Sequence, residues 1–317
     1  MPLAGSIVFA SDTLFAADRG GTVLAFSPAG NLLWSVTTAN NPNAVSFPVV
    51  TGNRVIFSGS REIVILDAAS GSVVLRRGLG TDESHGSGRR CAVAGSSLIF
   101  PSDSRIQFLD PSTGQIRSSI VIPDGTRMSP AAWKDRAVIA SQTGTLYVMN
   151  PKGGGTEMLL RTNAAQPEIH APLIRNDLAV LIGRKGVVVC ADLVQLRVVW
   201  ERRLPEGLSY VTDPAASEAG VYILGSDKIF GLNWRDGSDL FPPIAGAGAP
   251  AAVIAGRLAY ATVKGGVVLA DPGTGKPIMT VPLADGASGT TGTTLPVDIR
   301  GKIGIGTAAG TIVIVHP

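Results

Sequence analysis

The chain has 317 residues, and 27 Lys plus Arg against 24 Asp plus Glu leave a formal charge of +3. Charged residues are only 16% and hydrophobic residues 45%, which excludes a disordered chain, and the small, dispersed positive excess does not describe a nucleic-acid binder working through clustered charge. Thirty-nine glycines beside few aromatics describe short strands joined by tight turns rather than helices.

At the N-terminus, Met1-Pro2-Leu3 has no basic region and no long apolar run, so no signal peptide is expected there. The first repeating unit starts at Ser6. It has strands at Ile7-Val8-Phe9, Thr13-Leu14-Phe15, Thr22-Val23-Leu24-Ala25-Phe26 and Leu32-Leu33-Trp34-Ser35. The phrase "strand, Asp or Asn, small turn, Gly" then recurs. It reads Ile63-Val64-Ile65-Leu66-Asp67-Ala68-Ala69-Ser70-Gly71, then Ile106-Gln107-Phe108-Leu109-Asp110-Pro111-Ser112-Thr113-Gly114. Weaker copies end at Asn150 and Asn233, and a good one is Val267-Val268-Leu269-Ala270-Asp271-Pro272-Gly273-Thr274-Gly275. The anchors Ser27, Asp67, Asp110, Asn150, Asp192, Asn233, Asp271 and His316 are 38–45 residues apart. A period near forty with only strands inside it is propeller spacing.

The rest of each unit aligns around its anchor. A proline segment comes first, as in Phe47-Pro48-Val49, Ser129-Pro130-Ala131, Ala171-Pro172-Leu173, Asp213-Pro214-Ala215, Ala249-Pro250-Ala251 and Leu295-Pro296-Val297. Proline suits the start of an innermost strand, where one edge lacks a ladder partner. A polar turn and a second strand follow, such as Arg54-Val55-Ile56-Phe57 or Arg136-Ala137-Val138-Ile139. One blade has two apolar faces and two open edges, so blades must stack face to face to bury them. The expected fold is therefore all-β: one domain, 1–317, forming an eight-bladed propeller of four-stranded antiparallel blades. Seven blades is the runner-up; the last unit lacks a fourth strand where the chain stops at Pro317, so either that blade is three-stranded or a segment outside this sequence completes it.

The pattern of Pro, strand, Gly-rich turn, Leu-Asp-x-x-x-Gly, strand and Trp resembles the pyrroloquinoline-quinone-like repeat. The closing Trp is kept only at Trp34 and Trp200. That family includes eight-bladed quinoprotein dehydrogenases and a non-enzymatic outer-membrane assembly lipoprotein. The dehydrogenases need a caged cofactor, an ion held by Glu and Asn, a catalytic Asp, a stacking Trp and often adjacent cysteines. This chain has no adjacent cysteines and short loops, so neither catalytic residues nor a cofactor are expected.

Other chemistry is sparse. Cys91 and Cys190 read as buried β positions without metal-ligand spacing. Thr81-Asp82-Glu83-Ser84-His85 reads as a solvated polar loop rather than a metal site, His170 as a backbone-bonded loop residue, and His316 marks no nucleophile. The uncharged stretch Leu240 to Gly256 is broken by Pro242, Pro243 and Pro250, so no transmembrane helix is expected.

Charge placement is more informative. Turns between second and third strands lie on one propeller face. They carry Arg19, Arg61, Arg105, Arg184, Lys185, Lys228 and Lys264 against Asp18, Glu62, Asp103 and Asp227. The longer connections add Arg89, Arg90 and Arg127 against Asp82, Glu83 and Glu168. This mildly basic rim is the expected binding surface for an acidic protein or peptide partner. Neither nucleic acid nor a homo-oligomer is expected. The resemblance implies a non-catalytic scaffold in the cell envelope or periplasm, anchored at the outer membrane through a leader outside this sequence; a cytoplasmic location stays open. The alternative is a quinone-dependent dehydrogenase or small-ligand binder using the axial pocket.

Overall fold

The structure is a computed structural model. It describes residues 7–18, 21–37, 48–58, 62–78, 90–126, 128–152, 156–164, 171–183, 186–205, 214–248, 252–263, 265–282, 297–300, 302–306 and 312–315. The strands named in these ranges form eight antiparallel sheets, each made of strands consecutive in sequence. Seven are four-stranded and are numbered here blades 1 to 7: 8–37, 49–78, 92–121, 131–161, 173–203, 215–245 and 252–282. The expectation of eight four-stranded blades is thus corrected to seven. The last repeat, 297–315, is a three-stranded sheet, because no strand pairs beyond its third, Ile312–Val315, among the described residues. The protein is an all-β propeller built from four-stranded antiparallel blades.

The chain falls into two compact units. One, Ala44–Gly207, holds blades 2 to 5. There the innermost strand Val49–Thr51 neighbours Ala92–Ala94, which neighbours Ala131–Trp133, which neighbours Leu173–Arg175. The other joins Met1–Asn43 to Leu208–Pro317. In it Ala215–Ala216 neighbours Ala252–Ile254, then Val297–Ile299, then Val8–Ala10, so the first blade stacks on the last sheet. Pro48, Pro130, Pro172 and Pro214 each directly precede an innermost strand, where their missing N–H costs no ladder bond.

Burial explains why the sequence reads as apolar runs rather than alternation. Second and third strands are sandwiched between neighbouring sheets, so both faces are dry. Ser97–Pro101 is buried at every position, and Ile63 to Leu66 are all buried. Each such Leu, Ile or Phe contributes about 1.5–3 kcal/mol by leaving water. The outer strands Leu32–Thr37, Val73–Gly78 and Pro277–Pro282 share one different pattern, exposed residues alternating with half-buried ones after two exposed starters.

The anchor turns are built as their chemistry requires. Asp67 Oδ1 accepts from the Ala69 amide (3.2 Å), the Ser70 amide (3.1 Å) and the Ser70 hydroxyl (3.0 Å). Gly71 donates to the Asp67 carbonyl at 2.9 Å and takes φ +72°, a left-handed conformation natural to glycine. Just before the anchor, the ladder to the outer strand slips by one residue in six blades, as at Ile65/Leu66 and Leu269/Ala270. The turn and its bulge are one repeated unit. Blade 6 departs from it. Its outer strand is reduced to Ile244–Ala245, and Phe241 folds in against Tyr222, rings 6.3 Å apart and nearly parallel.

Candidate functional site

Within a blade, the turn between second and third strands sits beside the connection leaving the fourth strand. Blade 3 shows how the two are joined. The Ser102 amide and hydroxyl both donate to the Arg105 carbonyl, at 2.8 and 3.1 Å, closing the turn. The connection then lies across it: Ile122 donates to the Ser104 carbonyl and Thr126 to the Asp103 carbonyl, each at 2.8 Å. A Cβ on Gly125 would stand 3.0 Å from that Asp103 oxygen, so glycine permits the approach. The Thr126 hydroxyl reaches the next blade, donating to the Ala140 carbonyl at 2.8 Å. Arg105, the exposed first residue of Arg105–Leu109, is therefore presented from backbone held on both sides.

Lys228 occupies the same place in blade 6, exposed at the start of Lys228–Asn233. The Asp227 carbonyl accepts the Ala247 amide at 2.9 Å, and Lys228 pairs in register with Ala245. Ala245 begins the wall of an open groove of about 450 Å³, lined also by Gly246, Thr262, Val263, Gly265, Gly266, Thr280 and Pro282. Its lining is uncharged.

Arg105 and Lys228 belong to different units, and each is described in its own. Arg19, Arg61, Arg184, Lys185 and Lys264 lie outside the described residues, as do Arg89, Arg127, His85, His170 and His316. Two of the acids set against the basic residues are engaged locally. Asp18 is buried, and its Oδ1 accepts the Thr22 amide at 2.8 Å. Glu62 lies 3.4 Å from the Arg76 guanidinium.

The two cysteines are buried, as read from sequence. Burial first, then the Asp192 charge, pushes the Cys190 thiol up to about 12. It stays protonated at neutral pH and is no nucleophile. Among the described residues no group of three or more His, Cys, Asp and Glu could hold a metal ion. No helix there is long and apolar enough to cross a membrane.

Sequence reasoning missed the opposite end of the blades, where first and second strands join. In the unit of blades 4 and 5, Asp177 Oδ1 accepts both the Trp133 indole N–H (3.1 Å) and the Lys134 ammonium (2.9 Å). Lys134, then Trp133, hold the Asp177 carboxyl below its ordinary range. The Lys134 ammonium also stands 4.6 Å from the Trp133 ring centre. The available signal was Lys134-Asp135 beside Asn176-Asp177, two polar two-residue turns in which Lys134 and Asn176 take positive φ.

A search of curated proteins by sequence finds no match. Among solved structures, BamB from Moraxella catarrhalis superposes with a TM-score of 0.78 at 17% identity, covering 98% of this chain and 94% of that one. The computationally designed Ika8 protein gives 0.77 at 15% identity, covering 100% and 96%. A europium-containing methanol dehydrogenase gives 0.72 at 12% identity, covering 96% and 82%. At these identities the likeness establishes the propeller fold alone. A family model described as outer membrane protein assembly factor BamB matches residues 2–120 and 102–315. With both matches together spanning nearly the whole length, the chain belongs to this family of PQQ-like repeat propellers.

Proposed function

We propose that this protein is a non-catalytic scaffold that holds an acidic segment of a protein partner during assembly at the bacterial cell envelope. The family match carries this reading, since it runs through every repeat and its description is that of an assembly factor. In the same reading, 1–317 is a single domain, and the protein works in the periplasm at the outer membrane. The partner surface is the set of turns bearing Arg19, Arg61, Arg105, Arg184, Lys185, Lys228 and Lys264. Two observations support it: the backbone under Arg105 and Lys228 is tied down, and Asp18 and Glu62 are locally occupied. A rigid display of cations favours fast, salt-sensitive capture of an acidic partner.

The test is affinity capture from envelope extracts with the wild type and with Arg105→Ala/Lys228→Ala, then with all seven positions changed. Stepwise loss of the same captured protein is expected, and unchanged capture by the sevenfold variant would overturn the rim. A melting-temperature titration with pyrroloquinoline quinone and calcium separates the axial-ligand alternative, which requires a rise.

A further inference from the structure

The junction of blades 6 and 7 is built with less material than its counterparts. Six residues, 246–251, join the outer strand ending at Ala245 to the inner strand Ala252–Ile254, whereas nine, 122–130, join blades 3 and 4. In blades 3 and 5 the residue after the outer strand, Ile122 or Leu204, is buried. Each donates its amide to the carbonyl just before the third strand, of Ser104 or Gly186, at 2.8 Å. In blade 6 that bond, to Asp227, comes from Ala247, which brings a methyl group in place of a branched side chain. Gly246 ahead of it brings nothing, and a Cβ there would meet no atom within 4 Å. Blade 7 adds a second omission. Third strands of the other four-stranded blades begin with Thr22, Glu62, Arg105, Thr145, Val187 and Lys228, but that of blade 7 begins with Gly266. A Cβ on Gly266 would stand 3.5 Å from the Thr262 hydroxyl and 3.8 Å from the Thr280 methyl, ordinary contacts, so no close approach demands glycine. Gly246 and Gly266 both line the 450 Å³ groove, with Ala245, Val263, Thr280 and Pro282 among its other walls. The groove opens where these side chains are left out.

We infer that this groove takes one leucine-sized apolar side chain from the acidic partner segment, with the carboxylate of an adjoining residue held by Lys228. The inference rests on the scaffold reading and gives its partner an apolar anchor. Two observations fix the chemistry. The lining is uncharged, so a charged side chain would lose water there without compensation, whereas a branched aliphatic one supplies the bulk that Ile122 and Leu204 supply in their own blades. The cation is placed by register. Lys228 pairs with Ala245, and cross-strand partners project from the same face, so the Lys228 side chain leaves the sheet on the side of the groove wall. Lys228 is exposed, and a carboxylate next to the buried side chain meets it there. One anchor and one exposed ion pair make a weak contact, so the groove sets which acidic segment is preferred rather than holding it alone.

The experiment is an amide chemical-shift titration of the full chain with two synthetic peptides, acetyl-Gly-Leu-Asp-Asp-Gly-amide and the same peptide with alanine in place of leucine. The leucine peptide should move the Val263, Gly265 and Gly266 amides and half-saturate at a concentration about tenfold or more below that of the alanine peptide. Gly266→Leu fills the groove and Val263→Asp charges its exposed wall, and each should abolish the preference for leucine. Circular dichroism melting confirms that the variants fold, and Val263→Asp decides alone if Gly266→Leu does not. Lys228→Ala should weaken both peptides alike, by up to about fivefold, and keep the preference. Equal half-saturation by the two peptides, no shifts in the groove, or a preference that survives Val263→Asp overturns the groove and leaves the basic turns of the scaffold reading standing. A leucine preference with no weakening by Lys228→Ala overturns the acidic flank instead, and with it the place of Lys228 in the partner surface.

Discussion

Arg300 donates through Nε to Asp12 Oδ1 at 2.7 Å, joining residues 288 positions apart. Both sit in turns between first and second strands, Asp12 in blade 1 and Arg300 in the three-stranded sheet. The pair marks the seam where the last repeat meets the first, but it does not hold that seam. Both side chains are more than half exposed, and exposed ion pairs contribute at most about 1 kcal/mol. The adhesive is beneath it, where Ile7, Leu14, Ala16 and Ile299 are buried together with Phe9, Phe26 and Ile314 packed around them. In urea unfolding, Ile299→Ala should therefore cost about 2–5 kcal/mol and Asp12→Ala under 1. Equal costs would show that the seam is electrostatic.

The anchor aspartates predict an acid limb. Backbone and then hydroxyl donation by Ser70 lowers Asp67, the Thr274 hydroxyl and then its amide lower Asp271, and the Ser112 hydroxyl, its amide and Arg117 hold Asp110 far below the usual range. A carboxylate whose folded pKa is depressed contributes stability above its unfolded value, about 3.9, and loses it as pH falls through the folded value. Melting temperature should thus be insensitive to these groups at neutral pH and fall below about pH 4. Asp110→Asn keeps an acceptor but removes the titration, so its acid limb should be shallower than that of the wild type. An identical limb would place the acid sensitivity elsewhere.

These turns were legible in the sequence because their chemistry is local. Asp110, Ser112 and Gly114 find one another within five residues whatever surrounds them. The strands were legible for a related reason, since Ile63 to Leu66 and Val187 to Ala191 are dry on both faces and read as unbroken apolar runs. The contacts of Asp177 and Arg300 were not legible, because a two-residue turn says nothing about which neighbouring turn it will meet. The candidate surface was read from turn positions alone. Arg105 and Lys228 stand exposed in the turns assigned to them, and the other five basic residues lie outside the described positions. The collapse of the outer strand in blade 6 also escaped, although Pro242-Pro243 announced a break.

That collapse makes a coupled pair. Phe241 folds over Gly231 in the third strand, where an added Cβ would stand 2.5 Å from the ring. Gly231→Ala should therefore destabilise by about 1–3 kcal/mol through overpacking. In a Phe241→Ala background the space is open, and the same substitution should cost much less. The double-mutant cycle should show coupling of about 1 kcal/mol or more. Additive costs would mean that the glycine serves backbone conformation instead of the ring.

Blade 5 supplies the converse case. Its anchor turn is Asp192-Leu193-Val194-Gln195-Leu196, and Asp192 Oδ1 accepts the Val194 and Gln195 amides at 2.9 and 2.8 Å, as in the other blades. Glycine closes the turn at Gly71, Gly114, Gly237 and Gly275, but here Leu196 takes the left-handed position at φ +51°. A branched side chain pays about 1–2 kcal/mol for that conformation. Leu196 is half-buried, so removing it sacrifices some packing, and glycine adds freedom to the unfolded chain. The net for Leu196→Gly should still be a rise in melting temperature, or at worst no change. Asn, which tolerates the left-handed region, should fall between the two. A clear fall with Leu196→Gly would mean that the leucine holds the turn by packing rather than straining it.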